Sequence, residues 1–258
     1  MQIGAQLFTV REHLKNTEDI ARSLEKIAKI GYRNVQISGM ADCDPKWLRG
    51  ELDKNGLRAV LTHVKREYME QKLERVLEAH DVLGCNYIGI GAIPGYLLTE
   101  ESLAAFIQNY TPIIERIRAS GKRFFYHNHQ FEFVHDAQGK TYMERLTEQY
   151  TPAQLAFTLD TYWVQYSGAD VAVWIDRLAP RLPCIHLKDL AIVPCGKEKP
   201  KQQMAVLGEG NINFDRILAA AKRAGTEYLL VEQDDCYGED PFACLQRSYQ
   251  YLAARDLT

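Results

Sequence analysis

The sequence lacks the features that mark membrane, secreted and nucleotide-binding proteins. No apolar run approaches the roughly 18 residues that a membrane helix needs, and the segment from Met1 to Gln6 shows no basic and apolar leader pattern. A P-loop, a G-x-G-x-x-G fingerprint and a nucleophile elbow are all missing from the sequence. We therefore expect a cytoplasmic protein that does not bind membranes.

Close cysteine pairs and an excess of one charge are also missing. The six cysteines are scattered without a C-x-x-C pair, which predicts reduced thiols and disfavours a structural zinc site. The chain has 31 Lys and Arg residues against 34 Asp and Glu residues, a formal charge of −3. This balance offers no attraction for a polyanion, so nucleic acid is not an expected partner.

Short β-type runs alternate with longer helical patterns along all 258 residues. The predicted strands are Ile3–Val10, Asn34–Ser38, Arg58–Val64, Cys85–Gly91, Arg123–His129, Leu155–Asp160, Pro183–Asp189 and Tyr228–Asp234. The predicted helices are Thr17–Ile30, Pro45–Asn55, Glu67–Leu83, Thr99–Ser120, Thr141–Gln149, Val171–Leu178, Phe214–Ala224 and Pro241–Ala254.

Eight strand–helix units predict a single-domain (β/α)₈ TIM barrel, of the α/β class, over residues 1–258. The strands are nearly continuous apolar runs, as parallel strands buried on both faces require. The segment from Leu190 to Gly210 is too long for an ordinary connection, and we interpret it as a functional loop.

Polar side chains gather where the later strands end, which in a barrel is the face that carries catalysis. They are His127, Asn128 and His129 at the end of strand five with Glu132 just beyond it, Asp160 at the end of strand six, His186, Lys188 and Asp189 on strand seven, and Glu232 and Asp234 on strand eight. Carboxylates and imidazoles from adjacent strands predict a divalent metal, namely Mn²⁺, Mg²⁺, Co²⁺ or Zn²⁺. Taken singly, Asp160 could be no more than a helix cap, and His186 could be a packed core residue.

Five segments resemble the xylose-isomerase-like TIM-barrel superfamily of sugar phosphate isomerases and epimerases. They are YHNHQFEF (Tyr126 to Phe133), LDTYWV (Leu159 to Val164), HLKD (His186 to Asp189), LGEGNINF (Leu207 to Phe214) and VEQD (Val231 to Asp234). Their order fits nearly the whole chain. The resemblance implies a metal held by Glu, Asp, His and Glu from strands five to eight, with Asp160, His186 and Glu232 in the last three places.

Strand five departs from this pattern, because His127 stands where many members of the superfamily carry Glu. Glu132, five residues later, is our first choice for the fourth ligand, with His127 and His129 as alternatives. The departure also raises the question of whether a proton exchange between two glutamates operates in this protein.

Four further residues are candidates for substrate binding: His63, His129, Trp163 and Glu209. His63 ends strand three and could contact a sugar hydroxyl or pack in the core. Trp163 could offer an apolar floor for a sugar ring or pack at the rim, and Glu209 lies between two glycines near the barrel mouth. Lys188, on the same strand face as His186, could stabilise an enediolate oxygen or form a salt bridge.

The leading hypothesis is a metal-dependent isomerase or epimerase of a monosaccharide, keto-sugar or sugar phosphate. Glu232 or Glu132 would remove a proton, and His127 or Lys188 would return it or stabilise the enediolate. A lyase or dehydratase on a keto-sugar or keto-inositol is the alternative. An abasic-site endonuclease and a non-catalytic sugar-binding barrel are less favoured. The sequence leaves open whether the protein forms a homo-oligomer.

Overall fold

Eight parallel strands close into a barrel in the protein, which is described here from a computed structural model covering residues 1–91 and 99–257. Around the barrel the order of strands is β1-β10-β7-β6-β5-β4-β3-β2, so that β1 pairs with both β2 and β10. The predicted TIM-barrel fold is confirmed. Strands β8 and β9 are not part of the barrel and form a separate two-stranded sheet.

The strands are β1 (Gln2–Gln6), β2 (Asn34–Ile37), β3 (Arg58–His63), β4 (Tyr87–Ile90), β5 (Arg123–His127), β6 (Leu155–Asp160), β7 (Cys184–Leu187), β8 (Asp189–Cys195), β9 (Glu198–Ala205) and β10 (Tyr228–Val231). The helices are α1 (Thr17–Ile30), α2 (Pro45–Lys54), α3 (Arg66–Gln71), α4 (Leu73–Leu83), α5 (Glu100–Ala119), α6 (Tyr142–Gln149), α7 (Thr161–Tyr166), α8 (Val171–Leu178), α9 (Phe214–Ala224) and α10 (Pro241–Ala253). Two 3₁₀ turns cover Leu7–His13 and Phe131–Phe133.

Two hydrophobic clusters cover the two faces of the barrel strands, as a barrel filled by side chains requires, and a third, small cluster of Tyr162, Leu190 and Met204 joins α7 to the β8–β9 hairpin. A large cluster of buried residues joins the strands to the surrounding helices. A small separate cluster is contributed by strands alone and consists of Val60, Leu61, Phe125, Ala156, Cys184 and Leu230. This double burial explains why the strands are apolar on both faces.

Strand register places polar side chains at one level of the barrel. Asp160 at the end of β6 pairs with His186 on β7, and His186 pairs in turn with Leu230 on β10. Glu232 directly follows β10, and its backbone N–H donates to the carbonyl of Leu187 at 3.2 Å. The later strand ends therefore converge at the carboxyl-terminal mouth.

The structure corrects several predicted elements. β1 ends at Gln6, because the chain turns into a 3₁₀ helix over Leu7–His13 instead of continuing as a strand to Val10. The predicted helix Glu67–Leu83 is broken at Lys72, whose backbone is not helical (φ −137°, ψ 33°). The helix α7 over Thr161–Tyr166 was not predicted.

The segment Leu190–Gly210, which was expected to be an irregular loop, contains an antiparallel hairpin. β8 and β9 pair from Asp189 with Ala205 to Cys195 with Glu198. Most side chains of β9 are exposed, so the segment lacks the apolar periodicity that would have indicated strands.

Within residues 1–91 and 99–257, no helix is long and apolar enough to cross a bilayer. All six cysteines lie in this described part of the chain, and each carries a free thiol as predicted.

Candidate active site

Four buried side chains meet at the mouth of the barrel: His127, Asp160, His186 and Glu232. One nitrogen or carboxylate oxygen from each lies within 4.8 Å of the others. They come from the ends of four neighbouring strands, β5, β6, β7 and β10. We call these four residues the carboxylate–imidazole cluster.

Hydrogen bonding fixes the tautomer of His186. Its Nε2 lies 2.6 Å from the side-chain carbonyl oxygen of Gln36, and because a carbonyl oxygen only accepts, Nε2 carries the proton. Burial, followed by the nearby His127, lowers the pKa of His186 far below its ordinary value, so the ring is neutral. A lone pair on Nδ1 is thus directed at Glu232, whose Oε2 lies 2.9 Å away.

The two carboxylate oxygens of Asp160 have different roles: one caps a helix and the other faces the cluster. Oδ1 accepts a hydrogen bond from the backbone of Trp163 at 3.1 Å and so caps α7. Oδ2 lies 3.2 Å from Nε2 of His127 and 3.0 Å from Nζ of Lys188. Burial opposes ionisation of Asp160, but Lys188 and His127 outweigh it and lower the pKa of the carboxyl group.

Lys188 is buried among carboxylates. Its ammonium group lies 3.0 Å from Asp160 and 2.9 Å from both Glu232 and Asp234. Burial works to lower the pKa of Lys188, yet these charges outweigh it and raise the pKa well above its usual value. The three carboxylates and one ammonium carry a formal charge of −2 while the imidazoles are neutral. Such a charge attracts a dication.

His127 joins the cluster through Nε2, while its Nδ1 lies 3.0 Å from the carbonyl oxygen of Gly91 and donates to it. Burial works to lower the pKa of His127, but the hydrogen bond and charge of Asp160 outweigh burial and raise it. The orientation set by Gly91 leaves Nε2 facing the cluster, as is usual for an imidazole that ligates a metal.

Glu132, our first choice for the strand-five ligand, lies outside this cluster. Its Oε1 accepts a hydrogen bond from the Tyr126 hydroxyl, and its Oε2 accepts one from the backbone N–H of His129 at 2.7 Å. Both carboxylate oxygens are therefore engaged by groups of β5 and of the turn that follows it. The structure brings His127, one of the alternatives, to the position where Glu132 was expected.

Three of the four predicted substrate-binding residues surround the cluster. The His63 ring centroid lies 5.2 Å from that of His127 and 5.6 Å from that of His186. The His129 ring lies 4.7 Å from His127 and 5.5 Å from Trp163. Burial, then the charge of His127, lowers the pKa of His129 to about 2 and that of His63 well below its ordinary value.

These three residues also carry buried polar atoms without hydrogen-bond partners in the described part of the chain, namely Nε2 of His63, Nδ1 of His129 and Nε1 of Trp163. Buried polar groups are nearly always paired with protein, water or ligand atoms, so these atoms are free to bind a ligand or ordered water beside the cluster. A polyhydroxylated ligand can satisfy all three, because a hydroxyl both donates and accepts.

Glu209 is placed elsewhere. Its carboxylate pairs with Nε of Arg247 at 2.8 Å, and half of the side chain is exposed. The glycines beside it serve a different purpose, because the backbone N–H groups of Gly208 and Gly210 donate to Oδ2 of Asp189 at 2.9 and 3.0 Å. A side chain at Gly210 would collide with that carboxylate.

Gln36 was not among the predicted site residues. It lies on β2, and its contact with His186 joins residues 150 positions apart in sequence. The available signal was a glutamine between two apolar residues, Val35 and Ile37, in the strand segment NVQIS. A buried amide in such a strand needs a polar partner.

The residues present fit a divalent metal. The unprotonated Nδ1 of His186 has no hydrogen-bond partner although it faces two carboxylates. At metal–ligand distances of about 2.1 Å, atoms on opposite sides of an ion are about 4.2 Å apart, close to the 4.8 Å span of the cluster. The mixed nitrogen and oxygen donors suit the metals named above.

Comparison with known proteins yields relatives of low identity. The chain is 24% identical over 169 residues to an inosose dehydratase of Geobacillus thermodenitrificans, a match covering 60% of this chain. That match spans 55% of the relative's own length. The inosose dehydratase of Geobacillus kaustophilus is 23% identical over 230 residues, covering 76% of this chain and 73% of the relative.

Among solved structures, a sugar phosphate isomerase/epimerase from Parabacteroides distasonis superposes with a TM-score of 0.80 at 22% identity. The match covers 98% of this chain and 93% of the other. At this identity it demonstrates a shared fold. The family model described as xylose isomerase-like TIM barrel matches residues 24–253, which confirms the predicted resemblance. The chain therefore belongs to the xylose isomerase-like TIM barrel family.

Proposed function

We propose that this protein is a metal-dependent lyase that removes water or another β-oxygen group from a keto-sugar or keto-inositol. The observation that carries this proposal is the identity of the side chain that strand five contributes to the cluster. His127 takes part in the cluster there, while the carboxylate of Glu132 is engaged by Tyr126 and His129. The carboxylates of the cluster thus come from the ends of β6 and β10, on either side of β7.

Asp160, His186, Glu232 and His127 would hold the metal. The bound metal would supply a Lewis acid that polarises the ketone and acidifies the neighbouring C–H group. His63, His129 and Trp163 would orient the hydroxyl groups, because each has an unpaired buried polar atom beside the cluster. Their low pKa values keep both histidines neutral, so each ring can donate and accept one hydrogen bond.

Glu232 would act as the base that removes the proton next to the ketone. The C–H electrons form the new carbon–carbon double bond, and the bond to the β-oxygen breaks. Lys188 would stabilise the charge on the departing oxygen and give it a proton, so that water leaves. Its ammonium lies 2.9 Å from both Glu232 and Asp234, which keeps acid and base adjacent.

Epimerisation or isomerisation, the leading hypothesis from the sequence, is the second candidate. The same proton removal starts these reactions, and Lys188 beside Glu232 can return a proton. Inversion at carbon, however, requires groups on opposite faces of the substrate. With Glu132 engaged elsewhere, strand five offers an imidazole in place of a second free glutamate. The inosose dehydratase names of the relatives agree with elimination.

The test is incubation with 2-keto-myo-inositol and with 3-keto-glucose in D₂O, with Mn²⁺, followed by absorbance and mass spectrometry. We expect an enone absorbance and the loss of one water, both abolished in Glu232→Gln and strongly reduced in Lys188→Met. Lys201→Gln, an exposed lysine of β9, is the matched control. Deuterium incorporation without loss of water would instead identify an epimerase or isomerase. Unchanged turnover and metal content in both Glu232→Gln and Asp160→Asn would contradict the site assignment.

A further inference from the structure

A large cavity opens on the flank of the barrel mouth, beside the cluster. It measures about 800 Å³ and lies between the ends of β2 and β3 and the helices α2 and α4. This volume is in the upper part of the range of roughly 300–1,000 Å³ that holds a drug-sized ligand. The cavity offers more room than a single sugar ring would use.

The walls of the cavity are mainly apolar, and its edge is basic. Ile37, Met40, Leu48, Val76 and Leu83 are among the apolar residues that line it. The charged lining residues are Lys15, Lys65, Lys72, Arg75 and Asp42, a formal charge of +3. This local charge is opposite in sign to the −3 of the whole chain.

Two of these cations, Lys72 and Arg75, remain available to a ligand, while Lys15 pairs with Glu12 at 3.2 Å. Asp42 is shared between Lys65 at 2.7 Å and the hydroxyl of Tyr68 at 2.5 Å. Lys72 reaches Glu67 only at 3.5 Å, and Arg75 has no ion-pair partner within residues 1–91 and 99–257. An apolar cavity with free cations at its edge suits an apolar anion.

His63 connects the cavity with the cluster. The side chain lines the cavity together with Ser38 and Thr62, and its ring lies 5.2 Å from His127 and 5.6 Å from His186. A sugar ring held at the cluster can therefore extend a substituent past His63 into the cavity.

We infer that the cavity binds an apolar, negatively charged substituent of the substrate, such as an aromatic carboxylate linked to the sugar. The substrate class is then a conjugated keto-sugar or keto-inositol instead of a free one. This inference rests on the proposed function for the position of the sugar ring. The cavity's preference for an apolar anion rests on its own lining residues.

The first experiment uses the apolar anion 8-anilinonaphthalene-1-sulfonate as a fluorescent probe. We expect saturable binding that Lys72→Gln/Arg75→Gln weakens about three- to tenfold, the range for two partly exposed charge contacts. Arg118→Gln/Lys199→Gln, which removes two exposed cations elsewhere, is the control and should bind the probe like the wild type. Ala79→Phe, placed in the cavity wall, should abolish saturable binding while thermal unfolding remains cooperative.

The second experiment displaces the probe with 4-carboxyphenyl, phenyl and methyl β-D-glucopyranosides. We expect the carboxyphenyl compound to compete best and the methyl compound least, with the advantage of the carboxylate lost in Lys72→Gln/Arg75→Gln. Equal competition by all three glucosides, no competition by any, or probe binding that survives Ala79→Phe would overturn the inference.

Two variants distinguish failure of the proposed function from failure of the cavity assignment. Asp160→Asn should lose the metal, measured by calorimetry with Mn²⁺, yet bind the probe like the wild type. Ala79→Phe should lose the probe and keep the metal. If the wild type neither binds Mn²⁺ nor turns over substrate, but the probe binds as expected, the proposed function fails and the cavity assignment remains. The reverse pattern would overturn the cavity assignment alone.

Discussion

Nδ1 of His186 lies 2.9 Å from Oε2 of Glu232, although Nδ1 has no hydrogen-bond partner. The contact sets a lone pair against a carboxylate oxygen, because Gln36 accepts the ring's single proton at Nε2. Two acceptors at this distance repel each other unless a cation lies between them. In the proposed site, Gln36 would therefore position His186 for metal binding without touching the metal itself.

Replacing Gln36 by Met should weaken Mn²⁺ binding roughly 10- to 100-fold, because His186 loses the partner that fixes its tautomer and orientation. Isothermal titration calorimetry measures this change directly. Thr158→Val is the matched control, since it removes a buried hydroxyl on β6 that has no hydrogen-bond partner in the described chain. Metal affinity that falls equally in the control, or not at all in Gln36→Met, would refute the positioning role.

Strand five supplies the second prediction. His127→Ala should lower the affinity for metal, because His127 belongs to the cluster. Glu132→Gln should keep one metal per chain and lose about 1–2 kcal/mol of stability, because its buried hydrogen bonds to Tyr126 and His129 are weakened. Metal analysis and urea unfolding of the two variants measure both effects. The converse result would restore Glu132 as the ligand that the sequence favoured.

His127 and Glu132 show which features of the fold and the site could be predicted from the sequence. The parallel barrel was predictable because its strands are apolar on both faces and alternate with amphipathic helices. The convergence of Asp160, His186 and Glu232 followed from it, because parallel strands end at one face. The orientation of Glu132 depends on the short 3₁₀ turn Phe131–Phe133. Three residues are too few to show a periodic pattern, so this turn could not be predicted from the sequence.

Contacts across the barrel could not be predicted from the sequence either. Gln36 on β2 reaches His186 on β7, and β1 and β10 lie between these strands in the sheet. Such a contact depends on closure of the barrel and on side-chain direction. The hairpin of β8 and β9 was missed for a different reason, because its second strand is mostly exposed and polar.

Asp189 supplies the third prediction. Its buried carboxylate accepts four backbone hydrogen bonds, from Leu190, Gly208, Gly210 and Ile212, at 2.8 to 3.2 Å. Asp189→Asn turns an amide NH₂ toward some of these donors and should cost about 2–4 kcal/mol of unfolding free energy. Urea denaturation measures the loss.

The control for Asp189 is Asp215→Asn, whose side chain is 79% exposed and pairs with Arg255. Its stability should change by no more than about 0.5 kcal/mol. The segment that follows β9 should become more sensitive to protease in Asp189→Asn, because the four hydrogen bonds hold it to the base of β8. Equal stability of the two variants would show that Asp189 does not anchor this segment.

His80 supplies the fourth prediction, a pH dependence of stability. The ring is buried, with Nε2 2.8 Å from the hydroxyl of Thr62 and Nδ1 2.7 Å from the carbonyl oxygen of Val76. Burial lowers the pKa of His80 to about 4 from an ordinary 6.5. Between these values the unfolded chain binds a proton that the folded chain does not, so stability falls as the pH falls.

Between pH 7 and pH 5 this difference should destabilise the wild type by about 2 kcal/mol relative to His80→Gln, in which no group at this position titrates. Urea unfolding of both proteins across this range isolates the contribution, because every other titrating group is shared. His13→Gln is the control, since this exposed histidine precedes α1 and lies outside the core. A difference between wild type and His80→Gln that stays constant with pH would mean that His80 ionises alike in both states.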